Sequence, residues 1–437
     1  MSILKITGGR SLSGSLRVQG AKNSALPLLA SSVLTEGLSV FRNCPRLTDV
    51  EATVRILRHV GCRVYEEGDV LYVDASGPIR PEVPDEMMRQ MRSSVIFLGA
   101  LLSRCGEACL SLPGGCELGP RPVDLHVMAL RALGAEITEA GGRLCCRCLR
   151  LKGGHIALPT PSVGATENAM LAAVRAEGST VITGAAREPE ILDLQDHLRA
   201  CGALVAGAGS GVIRIRGTEK LRGGEKRIMP DRIAAATYLA ACAAAGGRVR
   251  LYDACPRDMD PVLRALGRMG CWIETGENLI VLERRGTLRS PGPIITRPHP
   301  GFPTDAQPPL MAASLKAEGT TVMIETIFES RYRHVPALQS MGADIRTAGK
   351  TAVIRGVEKL HGASVRASDL RGGAALAVAA LSAEGETLLG GMEHVLRGYE
   401  DMAGALTALG GEARLLEDGI VRGKEPRPGY GRDAEDG

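Results

Sequence analysis

Six stretches of the chain share one hydrophobic pattern, in which a run of small apolar residues leads through an acidic or glycine turn into a β-branched run. The first half contains SALPLLASSVLTEGLSVF, SSVIFLGALLSRCGEACLSL and ATENAMLAAVRAEGSTVIT; the second contains RIAAATYLAACAAAGGRVRLY, DAQPPLMAASLKAEGTTVMI and GGAALAVAALSAEGETLLG. The copies begin near Ser24, Ser93, Ala165, Arg232, Asp305 and Gly372, which is a period of about 70 residues. This periodicity predicts a repeated unit in which a helix is followed by a strand.

A second helical pattern follows each copy and ends at glycine, as in VRILRHVGCRV and VLRALGRMGCWI. Apolar residues at three- and four-residue steps predict a helix, and the glycine predicts its C-terminal turn. Later runs such as GVIRIRG and NLIVLERR alternate apolar and polar residues, which predicts strands with one buried face. We therefore predict an α/β fold of six repeated units of about 70 residues.

Three units in each half predict two domains of about 200 residues. The polar stretch TEKLRGGEKRIMP interrupts the pattern between them, and the N-terminal strands resemble material that follows a third unit. We assign residues 22–229 to an N-terminal domain, and residues 1–21 plus 230–422 to a C-terminal domain. Residues 423–437 have no apolar periodicity, which predicts a disordered tail.

Composition and charge narrow the possible functions. The 55 glycines fit many turns, and the 3% aromatic content fits Ala-rich helices that pack closely and are buried on most sides. A net charge of +4 without long runs of one sign argues against nucleic acid or a membrane surface as partner. The longest uncharged apolar stretch, 233–247, is too short to span a bilayer, and the N-terminus lacks a signal-peptide core.

The twelve cysteines are scattered through a chain without a secretory signal, so we expect reduced thiols in a cytoplasmic protein, with Cys105 and Cys109 in the core. Cys145, Cys146 and Cys148 lack a second ligand pair at zinc spacing. The chain also lacks GxxxxGKS, HExxH and a GxGxxG after a strand, so P-loop hydrolysis, zinc proteolysis and dinucleotide chemistry have no support.

The most distinctive local sequence is GGCELGPRPVDLH, which contains Cys116 and Arg121. A fixed positive charge lowers the pKa of a nearby thiol and makes it available as a nucleophile or acid. The alternative is a loop cysteine without a role, and the spacing alone does not decide between them.

Cationic side chains recur where the predicted elements begin or end. In AKNSAL, Lys22 and Asn23 precede an apolar helix whose first-turn N–H groups suit a phosphate or carboxylate, although Lys22 could instead be an ordinary surface lysine. Arginine guanidiniums bind such anions in pairs, and their recurrence suggests convergence on one anionic substrate. The arginines at these positions are Arg92, Arg121, Arg232, Arg331, Arg371 and Arg397.

Asp305 lies in GFPTDAQ, at the start of the fifth apolar helix. A carboxylate there either caps the helix or, opposite arginines in a cleft, acts as general base toward a sugar or alcohol hydroxyl.

The order of AKNSAL, PGGCELGPRPVDLH, SVGATEN, REPEI, PDRIA, FPTDAQ, ESRYRH, DLRGG and RGYE resembles the UDP-N-acetylglucosamine enolpyruvyl transferases, over residues 1 to about 422. The sister enzymes that make enolpyruvylshikimate phosphate share the six-unit fold, but they lack the Cys loop and differ in the N-terminal segment. The resemblance implies a two-domain inside-out α/β barrel. It also implies a cytoplasmic enzyme of the first committed step of peptidoglycan synthesis, hence of cell-wall formation, cell shape and division.

The resemblance further implies transfer of the enolpyruvyl group of phosphoenolpyruvate to the 3-hydroxyl of UDP-N-acetylglucosamine, with release of phosphate and with neither cofactor nor metal. The implied catalytic residues are Cys116, which forms the phosphoenolpyruvate adduct and reacts with fosfomycin, Asp305 as base, Lys22 and Arg397.

The implied substrate contacts form three groups. Lys22, Asn23, Arg121 and Arg397 match the phosphate site of phosphoenolpyruvate, and Arg331 and Arg371 match its carboxylate site. The positions implied around the UDP-sugar are Arg92, Arg121, Pro122, Val123, Asp124, Leu125, Ser162, Val163, Gly164, Asp305 and Ile327.

Three positions depart from the family pattern. Thr160 stands where many relatives have a lysine near the diphosphate, and Ser330 and Arg333 replace the usual Asn and Met. Two alternatives remain open: a catalytically quiet paralogue that binds the UDP-sugar, and the shikimate-pathway activity. The retained Cys116, Asp305, Lys22 and Arg397 argue against the first.

Overall fold

The computed structural model describes residues 2–90, 94–111, 123–417 and 420–421, which fall into two compact units. The continuous unit takes its residues from the segment between Gly20 and Met229. The split unit combines the residues up to Gln19 with those from Pro230 onward.

The helices alternate with strands along the whole chain. They are α1 Lys22–Ser31, α2 Thr48–Val60, α3 Asp85–Gln90, α4 Phe97–Cys105, α5 Asp124–Ala132, α6 Val163–Ala173, α7 Pro189–Ala200, α8 Arg232–Ala245, α9 Asp260–Arg268, α10 Gln307–Ser314, α11 Val335–Ser340, α12 Leu370–Ser382, α13 Met392–Val395 and α14 Met402–Ala408. Short 3₁₀ helices cover Ser32–Leu34, Ser94–Ile96, Pro256–Met259 and Thr304–Ala306. Within the described ranges, no helix is long and apolar enough to cross a bilayer.

The strands are mostly short. They are β1 Ser2–Thr7, β2 Leu12–Arg17, β3 Thr35–Glu36, β4 Leu38–Arg42, β5 Arg63–Glu67, β6 Val70–Asp74, β7 Glu107–Ser111, β8 Glu136–Ala140, β9 Arg143–Arg147, β10 His155–Ala157, β11 Ser179–Thr183, β12 Leu204–Ala206, β13 Val212–Arg216, β14 Leu221–Arg222, β15 Glu225–Arg227, β16 Gly247–Tyr252, β17 Trp272–Thr275, β18 Leu279–Arg284, β19 Ile294–Ile295, β20 Thr320–Ile324, β21 Asp344–Ala348, β22 Thr351–Arg355, β23 Ser364–Arg366, β24 Glu386–Gly390, β25 Glu412–Glu417 and β26 Ile420–Val421.

The sheets repeat one topology. In β10-β11-β13-β12 the first pair is parallel and the next two pairs are antiparallel. The orders β15-β4-β6-β5, β2-β16-β18-β17, β19-β20-β22-β21 and β23-β24-β1-β25 follow the same rule. The sheet β7-β9-β8 is antiparallel, and a single parallel bridge from Glu82 to Cys109 takes the place of its fourth strand. The predicted α/β fold with six repeats is confirmed.

The N-terminal strands belong to sheets of the split unit. β1 lies between β24 and β25, and β2 pairs in parallel with β16. The split unit therefore uses strands from both ends of the described chain.

Three small-residue helices form the interior of each unit, α1, α4 and α6 in the continuous unit and α8, α10 and α12 in the split unit. Every residue of α12 is buried. A Cβ on Gly373 of this helix would lie 2.6 Å from Cγ2 of Val395 and 3.0 Å from Cβ of Ala367. Larger side chains do not fit such contacts, which explains why the chain contains so few aromatic residues.

The outer helices end as predicted, at glycines in the left-handed region. Gly61 follows α2 with φ 113°, and Gly270 follows α9 with φ 96°. A residue with a Cβ is strained in this conformation, so glycine is the natural helix stop.

The expectation that all cysteines are reduced is wrong for one pair. Cys109 of β7 and Cys145 of β9 lie directly opposite each other in an antiparallel pair, with Cα atoms 4.1 Å apart, and form a disulfide. Cys109 is therefore not a plain core thiol, and Cys105 is only partly buried. The register of two strands brings residues 36 positions apart together, and the sequence alone does not reveal that register.

Candidate active site

Asp305 of the split unit lies in the 3₁₀ turn Thr304–Ala306, just before α10, and its carboxylate contacts two arginines. Arg331 Nη2 donates to Oδ1 at 2.7 Å, and Arg371 Nε donates to Oδ2 at 3.3 Å. The side chain of Asp305 is 28% exposed, whereas those of Arg331 and Arg371 are 1% and 3% exposed. The structure thus places an accessible carboxylate on two buried cations.

Local structure fixes both guanidiniums. Arg371 is the second residue of α12, and the Asp369 carboxylate caps this helix by accepting from the backbone N–H groups of Arg371 and Gly372, both at 3.0 Å. Arg331 precedes α11, and its Nη2 also donates to the carbonyl of Thr304 at 2.8 Å. A helix start and a loop therefore converge on Asp305.

The Arg371 guanidinium also donates from Nη1 to the Tyr399 hydroxyl at 3.2 Å and lies 5.6 Å from the centre of its ring. Burial opposes its charged form, but Tyr399, Asp305 and Asp231 outweigh that effect and raise the pKa of Arg371. For Tyr399, in contrast, burial raises the pKa, and the charge of Arg371 opposes this effect. At neutral pH the pair is therefore a cation next to a protonated phenol.

His334 directly precedes α11, three positions after Arg331, and is 1% exposed. Neither of its ring nitrogens has a hydrogen-bond partner in the described part of the chain. Burial lowers the pKa of His334 to about 4 against the opposing charge of Asp369, while the charge of Arg331 lowers the pKa and the backbone of Arg331 raises it. The imidazole is therefore neutral at neutral pH. A Cβ on Gly372 would lie 2.9 Å from Cβ of His334, so a glycine is needed where α12 passes this residue.

Ile327 lies in the loop after β20 and is 40% exposed. The buried carboxylate of Glu325 accepts from the N–H of Ile327 at 2.7 Å and from the Thr304 hydroxyl at 2.9 Å. Glu325 thus brings the Ile327 loop next to the turn that contains Asp305. Arg397 is partly buried, two positions before Tyr399.

In the continuous unit, Lys22 and Asn23 are the first two residues of α1. The Lys22 Nζ donates to Asp49 Oδ2 at 3.3 Å, and Asp49 is 2% exposed. The N-cap residue of α1 is Ala21, whose side chain has no polar atom to cap the helix. The helix start therefore combines a positive dipole end with a partly buried ammonium group, an arrangement suited to an anion.

The predicted positions Val123 to Leu125 and Ser162 to Gly164 come together in this unit, because α5 packs against α6. Val123 and Asp124 begin α5, while the Ser162 side chain caps α6 by accepting from Ala165 N–H at 3.4 Å. A Cβ on Gly164 would lie 3.2 Å from the ring of His126 on α5. Two helix N-termini thus lie side by side.

Four predicted site residues, Arg92, Cys116, Arg121 and Pro122, lie outside the described residues. Among residues 2–90, 94–111 and 123–417, no group of three or more His, Cys, Asp or Glu side chains is placed to hold a metal ion.

The site also contains residues that the sequence interpretation missed. Asp369 could have been found, because an Asp directly before a small-residue helix fits the N-cap pattern. Tyr399 stands in RGYE beside the predicted Arg397, although the sequence does not indicate that its hydroxyl meets Arg371. The Thr237 hydroxyl lies 2.7 Å from the Tyr399 hydroxyl, and Thr237 and Asp49 both lie inside helical patterns and carry no such signal.

Comparisons with known proteins agree with one another. The family described as EPSP synthase (3-phosphoshikimate 1-carboxyvinyltransferase) matches residues 6–406. UDP-N-acetylglucosamine 1-carboxyvinyltransferase 2 of Caldanaerobacter subterraneus subsp. tengcongensis is 47% identical over 412 residues, which cover 94% of this chain and 99% of the relative. The UDP-N-acetylglucosamine 1-carboxyvinyltransferase of Nitratidesulfovibrio vulgaris is 46% identical over 416 residues, which cover 95% and 99%.

Two solved structures share the fold. The enolpyruvyl transferase NikO from Streptomyces tendae superimposes with a TM-score of 0.86 at 27% identity, over 95% of this chain and 98% of its own. EPSP synthase from Acinetobacter baumannii gives 0.73 at 21% identity, over 95% and 100%. The predicted fold class, the inside-out α/β fold of enolpyruvyl transferases, is confirmed.

Proposed function

Because this chain belongs to the enolpyruvyl transferase family, on the branch of the UDP-N-acetylglucosamine 1-carboxyvinyltransferases, we propose that it transfers the enolpyruvyl group of phosphoenolpyruvate to the 3-hydroxyl of UDP-N-acetylglucosamine. The observation that carries the proposal is the accessible carboxylate of Asp305 on two buried guanidiniums. The transfer requires a base for the sugar hydroxyl, and it requires fixed cations because both substrates are anions.

The reaction is an addition followed by an elimination. Asp305 takes the proton of the sugar hydroxyl, and the hydroxyl oxygen bonds to C2 of phosphoenolpyruvate. Cys116 supplies a proton to the methylene carbon C3. In the second step C3 returns a proton to the Cys116 thiolate and the bond between C2 and the phosphate oxygen breaks. Phosphate leaves with the proton that Asp305 took, so both residues return to their starting states. Negative charge develops on different groups in each step. Fixed cations in a site that excludes water therefore lower the barrier of each step.

Arg331 and Arg371 bind the carboxylate of phosphoenolpyruvate. Each guanidinium has five N–H donors, and Asp305, Thr304 and Tyr399 occupy only some of them. The phosphate group is bound by Lys22, Asn23, Arg121 and Arg397, and the start of α1 supports this assignment because it combines the positive end of the helix dipole with the Lys22 ammonium.

The UDP-sugar lies against the paired starts of α5 and α6, where the dipoles of two helices favour a diphosphate. Its contacts are Arg92, Asp305, Ile327, the residues Arg121 to Leu125, and Ser162 to Gly164. We assign the enzyme to the cytoplasm and to peptidoglycan synthesis, hence to cell shape and division. Its domains comprise residues 22–229 and residues 1–21 plus 230–422.

Phosphate release with both substrates tests the function. We expect turnover with phosphoenolpyruvate and UDP-N-acetylglucosamine, and none when shikimate 3-phosphate replaces the UDP-sugar. UDP-sugar binding without phosphate release would leave a catalytically quiet paralogue, and turnover with shikimate 3-phosphate would overturn the acceptor assignment.

Fosfomycin tests the role of Cys116 separately. We expect intact-mass spectrometry to find one adduct on the unmodified chain and none on the Cys116→Ser variant. Persistent labelling of that variant would place the reactive thiol at another cysteine.

A further inference from the structure

Tyr399 is a fully buried tyrosine of the split unit, and its hydroxyl stands between Arg371 and the interior helix α8. Arg371 Nη1 lies 3.2 Å from the Tyr399 hydroxyl, which lies 2.7 Å from the Thr237 hydroxyl, and Thr237 Oγ1 lies 2.9 Å from the carbonyl of Ile233. These contacts form a continuous row of polar atoms from the guanidinium to the backbone of α8.

Proton counting gives this row one direction. A guanidinium only donates and a carbonyl only accepts, while each hydroxyl carries a single proton. Arg371 therefore donates to Tyr399, Tyr399 to Thr237, and Thr237 to the carbonyl of Ile233. Every group in the row is satisfied only in this arrangement, and an unsatisfied group would be costly at such burial.

The position of Tyr399 is itself fixed from both sides of the backbone. The Gln19 side chain donates from Nε2 to the carbonyl of Gly398 at 3.1 Å and accepts from the N–H of Glu400 at 3.0 Å. The ring of Tyr238 packs edge-on at 6.4 Å between centroids. A hydroxyl held this firmly can fix the group that donates to it.

We propose that Tyr399 and Thr237 are positioning residues that hold the Arg371 guanidinium so that its Nε faces Asp305 and its remaining donors face the carboxylate of phosphoenolpyruvate. Arg371 can make both contacts only in one rotation of its planar fork, because Nε and Nη1 point in different directions. The Tyr399 hydroxyl fixes that rotation. This inference rests on the proposed function.

Tyr399→Phe removes the hydroxyl and keeps the ring. We expect the KM for phosphoenolpyruvate to rise roughly tenfold, the range for losing a hydrogen bond to a charged group, while the KM for the UDP-sugar stays within about twofold. Thr237→Val should shift the KM for phosphoenolpyruvate in the same direction, and Thr237→Ser, which keeps the hydroxyl, should restore it. Because the residues act in one row, the double variant Tyr399→Phe/Thr237→Val should be no worse than Tyr399→Phe.

Tyr332→Phe is the matched control. Its hydroxyl lies 2.9 Å from the carbonyl of Met323 and 3.3 Å from that of Lys350, and within the described residues it makes no hydrogen bond to Asp305 or Arg371, so its loss should leave both KM values unchanged. If Tyr399→Phe raises both KM values alike, or if the double variant shows multiplied effects, the hydroxyls serve packing alone and the proposal is overturned.

A crystal structure of the Tyr399→Phe variant tests the geometry without turnover. We expect the guanidinium to rotate and the 3.3 Å contact between Arg371 Nε and Asp305 to be lost or lengthened. An unmoved Arg371 overturns the positioning role whatever the kinetics. Absence of phosphate release by the unmodified enzyme would instead overturn the proposed function and leave this structural test standing.

Discussion

The two units surround an acidic side chain in opposite ways. In the split unit, Asp305 lies between the guanidiniums of Arg331 and Arg371. In the continuous unit, Glu167 of α6 is buried, and its Oε1 has no hydrogen-bond partner in the part of the chain that the structure describes. Burial raises the pKa of Glu167 well above its usual value, and the neighbouring Glu190 and Glu188 raise it further.

This difference shows that the neighbours of an acidic side chain decide whether it can act as a base. A carboxyl group without a compensating cation holds its proton, because an isolated charge is too costly in an apolar interior. An acid that is already protonated cannot serve as a base. Asp305, paired with two cations and still 28% exposed, can accept a proton from a hydroxyl that reaches it.

Asp305→Asn tests whether Asp305 of the split unit acts as the base, and it has the largest expected effect. The variant keeps the shape of the side chain and removes the base, so we expect kcat to fall about a thousandfold. The phosphate-release assay measures this loss.

Asp260→Asn makes the same chemical change at an exposed residue of the split unit that pairs with Arg264, and it should leave kcat unchanged. A kcat for Asp305→Asn within a few-fold of the unmodified enzyme would mean that another group accepts the proton.

Glu167→Gln tests whether Glu167 of the continuous unit is protonated in the folded protein, through the pH dependence of the free energy of unfolding. The raised pKa means that folded Glu167 holds a proton that the unfolded chain releases above about pH 4.5, so this residue lowers stability as the pH rises. The Gln variant lacks this penalty. Its stability relative to the unmodified chain should grow by about 1.4 kcal/mol per pH unit above pH 4.5, until the pH reaches the raised pKa.

Urea unfolding at several pH values between 5 and 8 measures this trend. Glu177→Gln is the control, since Glu177 is exposed and the substitution should show no such slope. A flat difference for Glu167→Gln would mean that Glu167 is charged in the folded protein and has a cationic partner.

Periodicity in the sequence was enough to predict the fold, because six small-residue runs and six glycine-terminated helices repeat at regular spacing. It also led to the prediction of Asp305, Arg331 and Arg371 as site residues, and the structure brings these three side chains into contact. It could not identify Tyr399 as a partner of Arg371, or Asp49 as a partner of Lys22, because each contact depends on how two elements pack and where their side chains point, which periodicity does not specify. The Cys109–Cys145 pair was missed for the same reason, since it depends on strand register.

Asp49→Asn tests whether Asp49 holds the Lys22 ammonium of the continuous unit in place, as Asp305 and Tyr399 contact Arg371 in the split unit. Arg371 contacts Asp305 and Tyr399, and Lys22 Nζ donates to Asp49 Oδ2 at 3.3 Å. Removing the charge of Asp49 should loosen Lys22 and raise the KM for phosphoenolpyruvate about tenfold, with a smaller change in kcat. Steady-state kinetics separates the two constants. A collapse of kcat at constant KM would show that Lys22 acts in the chemical step instead of in binding.

Helix caps should show the smallest difference between the units. Ser162 caps α6 through one bond of 3.4 Å, while Asp369 caps α12 through two bonds of 3.0 Å. Ser162→Ala should therefore cost about 0.5 kcal/mol and Asp369→Ala about 2 kcal/mol, the two ends of the range for such substitutions. Asp369→Asn retains a capping oxygen and should recover most of the loss in urea unfolding. Equal costs for the two alanine variants would mean that the caps of the two units are equally strong despite their different geometry.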